Sequence, residues 1–453
     1  MRDLLMLGAM SVLVPLSISN GFIAYVLWAW TALFSPNYYL YGFMSGVRYN
    51  FLFAGIALLA LLLGKRRSPL RFTSTQKWLI VFLVHASLCA AFAYSPNRLN
   101  AEIYEGLVKA MVFCLVLPAF VDSRMRLHVL LVALAMGLSF HGVVEGAKFI
   151  LSAGGHKITG IPTTMMSDNN HFAVGLLMIV PVLYYLYQYS AHRLVRLAFL
   201  GAFAITALAV VGTFSRGGFI GLVVVATWLV LSSRRKFYAL ATIAVVSALL
   251  LLAAPDAWFA RIDTLNDAGE DSSFMGRVNA WKISLVVALN NPVFGGGFHS
   301  IQAQHIWSTF REAIQFLDFI PTPPTVETAR AAHSIYFEVL GDTGFVGLLL
   351  FLAIWINAWR TALWIKRAIH DQAELVWARD LSDMLRVALL VYAISGAAVS
   401  MAYFELFYIF AALIAALEQY VVRHLAQVPV PVPASSVELI SVPTGSLYSR
   451  SSR

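Results

Sequence analysis

Apolar runs of about 17–25 residues recur along almost the whole chain, each long enough to carry an α-helix across the hydrocarbon of a bilayer. No other feature restricts the fold so strongly. Inside lipid every backbone N–H and C=O must be bonded within the protein, so the spanning elements are helices and an open sheet is excluded. Composition agrees, since 60% of the 453 residues are hydrophobic and 12% are charged, whereas a soluble domain carries about 25% charged residues. The expected fold is an all-α polytopic membrane protein with essentially no soluble domain. The apolar N-terminus shows no small-residue cleavage site leading into a soluble body and is expected to be a retained first span.

Residues 4–34 form one long apolar stretch, interrupted at Pro15 and at Ser17-Ile-Ser-Asn20-Gly21, that reads as one broken span or two short ones. Further spans are predicted at about 51–64, 78–95, 104–121, 128–151, 172–189, 195–213, 217–232, 237–254, 335–359, 385–402 and 404–422. Basic clusters fall in every second loop: Lys65-Arg66-Arg67 with Arg71 and Lys77, Arg124 with Arg126, Arg193 with Arg196, Arg234-Arg235-Lys236, and Arg360 to Arg386. Under the positive-inside rule those loops are cytoplasmic. The connections 35–50, 96–103, 152–171, 213–216 and 255–333 then face outward. With Arg2 inside and residues 4–34 as one broken span, the count is twelve; thirteen, with the N-terminus outside, is the alternative.

Four segments follow: a transmembrane bundle over 1–254 (spans 1–9), a long extracytoplasmic loop with an amphipathic helix over 255–333, transmembrane helices over 334–425, and a tail over 426–453. The tail repeats Val-Pro, turns Ser-rich, and is expected to be disordered and cytoplasmic.

A net charge of +9 raises the question of nucleic-acid binding, but the charges sit in short inter-span loops rather than on one basic face, so no nucleic-acid partner is expected. Cys89 and Cys114 lie in apolar runs without a Cys-x-x-Cys pair, which supports neither a disulfide framework nor a zinc site. No His-x-x-x-His pair or Asp-x-Asp motif occurs on the outer side; neither a metal nor a cofactor is expected.

The residues able to do chemistry collect in or beside the outer loops. Arg216 lies in Gly212-Thr-Phe-Ser215-Arg216-Gly217-Gly218, a link too short to leave the bilayer surface. There it offers five fixed donors to a phosphate, or it snorkels to lipid headgroups. Arg277 opens a helix running to Asn290-Asn291-Pro292 and shares a face with Trp281. That helix either lies along the membrane with Trp281, Leu285 and Leu289 dipped in, or is structural. Gly295-Gly296-Gly297-Phe298-His299 is a flexible turn able to approach a ligand, weak as a phosphate loop. His333 stands where the loop meets the membrane, three residues after Arg330. Its imidazole suits a proton acceptor near neutral pH, although a lone His is more often structural. His171 follows Asp168-Asn169-Asn170 at the outer end of a span. Glu105 with Lys109, and His141 with Glu145 and Lys148, have helical spacing and are internal braces or cavity-lining groups.

Three of these motifs, in this order, resemble the O-antigen ligase and polymerase superfamily: Ser215-Arg216-Gly217-Gly218; Gly276-Arg277-x-x-x-Trp281 running to Asn291-Pro292-x-Phe294-Gly295-x-Gly297; and Ala332-His333-Ser334-x-Tyr336 with Gly341-x-x-Gly344-x-x-Gly347. Trp28-Ala-Trp30, Ser35-Pro36-Asn37-Tyr38 and Ser167-Asp168-Asn169-Asn170-His171 look like the O-glycosylation ligase branch associated with exosortase systems. The resemblance spans roughly residues 1–425. It implies a GT-C-like, metal-independent, inverting glycosyltransferase of the bacterial inner membrane, active on the periplasmic face. The implied donor is a glycan on undecaprenyl pyrophosphate, and the acceptor a hydroxyl of a protein Ser/Thr or of a saccharide. The family's essential His falls on His333 and its pyrophosphate-contacting arginines on Arg216 and Arg277. Arg330, Tyr336, Trp281 and His171 are the further substrate-binding candidates. The alternatives are a polymerase acting on lipid-linked repeats and, from another class, a polysaccharide or lipid transporter, which predicts repeated halves around a midplane site.

Overall fold

The computed structural model describes residues 1–64, 72–94, 98–162, 164–232, 236–237, 240, 272–317, 327–370 and 372–427. Within them the chain is helical and has no strand. The helices are α1 (Arg2–Ser19), α2 (Gly21–Phe34), α3 (Tyr49–Leu63), α4 (Ser74–Ala91), α5 (Arg98–Phe120), α6 (Arg124–Leu151) and α7 (Asn169–Tyr189). They continue with α8 (Arg193–Gly212), α9 (Arg216–Ser232), α10 (Ser272–Asn290), α11 (Gln304–Arg311), α12 (Ile335–Ala368), α13 (Val376–Ser395) and α14 (Glu405–Leu425). Among the described residues, eight helices are long and apolar enough to cross a membrane, and α2, α3 and α9 are shorter apolar helices. The span predicted at 237–254, the Lys65-Arg66-Arg67 and Arg234-Arg235 clusters, parts of the 255–333 loop and the tail from Val428 lie outside the described residues.

Local chemistry sets the helix starts. Thr73 and Gln76 form a reciprocal capping box on α4, Ser123 caps α6, and Asp168 caps α7 through the N–H of Asn170. Each such cap contributes about 1 kcal/mol. Helix α7 is apolar around most of its circumference, and Phe172 through Val182 are buried without a gap. It is the central pillar, packed by α6, α8, α9 and α13. A helix hydrophobic on all sides is one surrounded by others.

The N-terminus corrects one expectation. Residues 4–34 are two helices folded back on each other. Asn20 is extended (φ −140°, ψ 101°) and its side chain caps the N–H of Phe22. The start of α1 returns to the segment after α2: Asp3 Oδ1 accepts from the N–H of Gly42 (3.1 Å) and of Met44 (3.0 Å). Arg2 therefore lies at the same end as the 35–50 connection, not opposite to it. This is the arrangement that the thirteen-span alternative requires.

The remaining groups sort to two ends. At one end Ile158 N–H bonds Gly212 O, Asn169 bonds Thr213 O, and Tyr94 N–H bonds Gly296 O, so the connections expected to face one way do meet. At the other end Lys366 and Arg386 pair with Asp383, Tyr189 bonds Asp380, and Arg423 reaches Asp122 O.

On helix α10 the Trp281–Leu285–Leu289 face is the less buried one, and Leu289 is exposed. The helix packs against α12, and Val278, Asn279, Ala280, Lys282, Ile283, Ser284, Val286 and Val287 are all buried. With Ile301, Ile306, Trp307, Ile314 and Ala332 it makes a second, smaller core.

Gly344 lies inside α12 at φ +69°, a left-handed break. The Asn291–Gly297 turn fills it: Phe345 N–H bonds Pro292 O (2.9 Å), Gly296 N–H bonds Gly341 O (2.8 Å) and Gly297 N–H bonds Asp342 O (2.9 Å). A Cβ on Gly344 would strike the Pro292 carbonyl. The glycine-rich turn thus approaches another backbone, where the sequence suggested a ligand.

Candidate functional site

His333 precedes α12 and has φ +45°, a conformation that costs a non-glycine residue of order 1–3 kcal/mol. Three contacts hold it. Its N–H donates to Ser400 Oγ at 2.8 Å. The carbonyl of Ala332 accepts from Trp281 Nε1 at 2.7 Å, and Trp281 stacks on Phe337 with ring centroids 5.1 Å apart. Tyr336 anchors the first turn of α12 through its hydroxyl to Ala393 O (2.7 Å). Trp281 and Tyr336 thus fasten the His333 segment.

Ser400 serves a second histidine. His171 Nε2 is 3.0 Å from Ser400 O, and Nδ1 is 3.2 Å from Asp168 Oδ1. The His171 and His333 rings lie with centroids 6.5 Å apart. That hydrogen bond to His171, with the N–H of Asn170, holds the Asp168 carboxyl well below the ordinary range.

Arg277 is close enough to act on His333 electrostatically. Burial, then the Arg277 charge and the neighbouring His171, lower the His333 pKa. The ring is half-buried and is a neutral acceptor at neutral pH. Arg330 packs its guanidinium on Gly276, in the space a Cβ there would take. Arg216 begins α9. Ser215 Oγ caps that helix at Gly218 N–H (3.1 Å), and Ser395 Oγ binds Gly217 O (2.9 Å). Since Asn169 bonds Thr213 O, the Arg216 turn stands against both the His171 turn and the chain leading to Ser400. A partly buried helix N-terminus carrying an Arg suits an anion.

A second polar network was not foreseen. Glu338 and Asp342, one turn apart on α12, grip two loops. Glu338 accepts from His299 Nε2 (2.8 Å) and from Ala402 N–H (2.8 Å). Asp342 accepts from His299 N–H (2.9 Å) and from Tyr403 OH (3.0 Å). Burial opposes the charge on His299, but the Glu338 bond and the charges of Glu338 and Asp342 prevail and raise its pKa. The His299, Glu338 and Asp342 ligand atoms lie within 4.8 Å of one another, as a metal would need. All four carboxylate oxygens already take protein donors, while His299 Nδ1 is buried without a partner, so the cluster braces two loops through its acids. The signal available in the sequence was a pair of carboxylates four apart in an apolar helix, which requires buried partners.

Of the other paired charges, Glu105 and Lys109 do bridge, at 2.5 Å. His141 does not pair with Glu145: it bonds Tyr39 OH and Phe34 O, while Glu145 takes Lys148 and His156.

Apolar helices in this number define a multi-pass membrane protein. Residues 201–352 match the family model described as O-Antigen ligase, and residues 1–191 match one described as a family of unknown function (DUF5935). The match to the O-antigen ligase model supports a membrane enzyme of ligase or polymerase type. No curated protein matches the chain. The matched O-antigen ligase stretch contains Arg216, Arg277 and His333 but ends before Ser400.

Proposed function

We propose that the protein transfers a glycan from undecaprenyl pyrophosphate to an acceptor hydroxyl, at the periplasmic face of a bacterial inner membrane. The supporting observation is the bonding of His333 and His171 to one residue, Ser400, with the Arg277 charge acting on His333, beside a stretch that matches the O-antigen ligase family model. The acceptor oxygen attacks the anomeric carbon from the face opposite the pyrophosphate, with inversion. The bond from that carbon to the pyrophosphate oxygen breaks, and the pyrophosphate leaves with the electron pair. Arg216 and Arg277 stabilise the charge growing on it, with Arg330 adjacent. Neutral His333 receives the acceptor's proton or holds its hydroxyl in line. The end that carries these groups faces outward, and the end with Lys366, Arg386 and Arg423 faces the cytoplasm.

The test is incubation of the purified protein with lipid-linked glycan and with protein or saccharide acceptors, followed by mass analysis. A single transfer onto a different acceptor supports a ligase, including the exosortase-associated O-glycosylation type. Chain lengthening on the carrier assigns a polymerase instead. No transfer to any acceptor refutes the reading.

A further inference from the structure

A cavity of about 470 Å³ lies between α2, α5, the turn at Thr164–Met165 and the start of α14. Sites for small molecules span about 300–1,000 Å³. Two segments that hold the histidines also wall this cavity. Thr164 and Met165 precede the Asp168–His171 turn, and Tyr403 and Glu405 follow Ser400.

The groups in the wall narrow what fits. Glu405, the first residue of α14, sits inside the bundle and keeps accessible surface where it lines the cavity. Among the described residues its carboxylate receives no hydrogen bond or ion pair from another side chain. A carboxylate in that position is costly unless something in the cavity donates to it. Asn50 spends its Nδ2 on Trp28 O at 3.0 Å, which leaves its side-chain oxygen to accept. Glu102 adds a second carboxylate, Lys109 brings an ammonium already bridged to Glu105, and Trp28 and Phe113 supply aromatic surface.

A diphosphate would be repelled by Glu405. A polyprenyl chain would strip water from the Glu405 carboxylate and return nothing. An organic cation would meet Lys109. A neutral ring with several hydroxyls avoids all three conflicts, donating O–H to the acceptors and laying its C–H faces on the aromatic rings.

We propose that this cavity binds a saccharide residue of one of the two substrates, with Glu405 and Asn50 accepting from its hydroxyls and Trp28 and Phe113 supporting its ring. The proposal rests on the glycan-transfer reading above and adds where the sugar sits.

Gly106 also lines the cavity, and a side chain there would meet open space. The natural thiols, Cys89 and Cys114, are buried. Gly106→Cys therefore puts one reactive thiol into the cavity of the full-length protein. Its maleimide labelling rate is measured alone, with glucose, galactose or N-acetylglucosamine at high millimolar concentration, and with inorganic pyrophosphate. At least one sugar should slow labelling about tenfold, pyrophosphate should not, and adding Glu405→Ala should remove the protection. Failure of every sugar to protect, protection by pyrophosphate alone, or protection indifferent to Glu405→Ala would each overturn the proposal. Labelling needs no turnover, so this outcome is independent of whether transfer is detected. Where transfer is measured, the near-isosteric Glu405→Gln should raise one KM about tenfold and leave the other unchanged. A rise in the lipid-linked donor's KM assigns the cavity to the donor glycan, and a rise in the acceptor's KM to the acceptor. Two unchanged values overturn it.

Discussion

The backbone N–H of His333 donates to the side-chain oxygen of Ser400 at 2.8 Å, across 67 residues of sequence. The same Ser400 receives His171 at its carbonyl. Removing the hydroxyl by Ser400→Ala frees the left-handed His333 turn without touching either imidazole. Transfer should fall about 10–100-fold, in line with misplacement of a reacting group. Stability should drop by only about 1 kcal/mol, read as a small shift in thermal unfolding of the purified protein.

The three groups assigned to chemistry are expected to behave differently from Ser400. His333→Ala, Arg216→Ala and Arg277→Ala should each abolish transfer while the protein reaches the membrane in normal amount, checked by immunoblot beside the activity assay. Full activity in any one removes that residue from the mechanism.

The pH response follows from the direction of the His333 shift. Burial and the Arg277 cation both disfavour the imidazolium, so a lower pH than usual is needed to protonate the ring. The working form is neutral. The profile of kcat/KM should therefore fall at low pH with a midpoint below ~6.5, the ordinary histidine value. Replacing the cation by Arg277→Met should move the His333 titration upward in an NMR measurement on the labelled imidazole. A downward or unmoved midpoint would show that Arg277 does not govern the ring.

The buried His299–Glu338 pair gives a contrast between two substitutions. Glu338→Ala leaves a raised-pKa imidazole and the Ala402 N–H without their acceptor. Breaking one partner of such a pair costs about 3–5 kcal/mol. Glu338→Gln keeps an oxygen and should cost markedly less. Thermal unfolding of the two variants compares them directly, and equal losses would show that shape rather than hydrogen bonding sets the effect.

Gly344→Ala combines a left-handed backbone with a Cβ driven into the Pro292 carbonyl. A loss of at least about 1–3 kcal/mol is expected, visible as reduced yield of folded protein in detergent. By comparison Gly106→Ala, with open space beside it, should be well tolerated.

Hydropathy made most of the fold legible because a helix in lipid must be both long and apolar. The expected limits of 128–151, 172–189 and 195–213 fall within four residues of α6, α7 and α8. What escaped was reversal. A single extended residue, Asn20, folds α1 back on α2, and a stretch of unbroken hydrophobicity carries no mark of direction. The site divided in the same way. Arg277 and His333 were readable because charge is rare in such a chain. Ser400 was not, since a serine that bonds two distant histidines looks the same in sequence as one that bonds nothing. The glycines of 295–297 read as a turn able to approach a ligand and instead approach the α12 backbone, because the sequence shows that backbone comes close to something without showing what.

The interruption at Gly344 has a further consequence for movement. A helix cut in its interior normally leaves carbonyls stranded, yet those of Gly341 and Asp342 are consumed by Gly296 and Gly297. Withdrawing the glycine turn would strand them again in a dry setting, and would also pull His299 from its acids. The turn is therefore a keystone, held by bonds to both sides of the break. A movement of the bundle that keeps these bonds has to swing on other hinges.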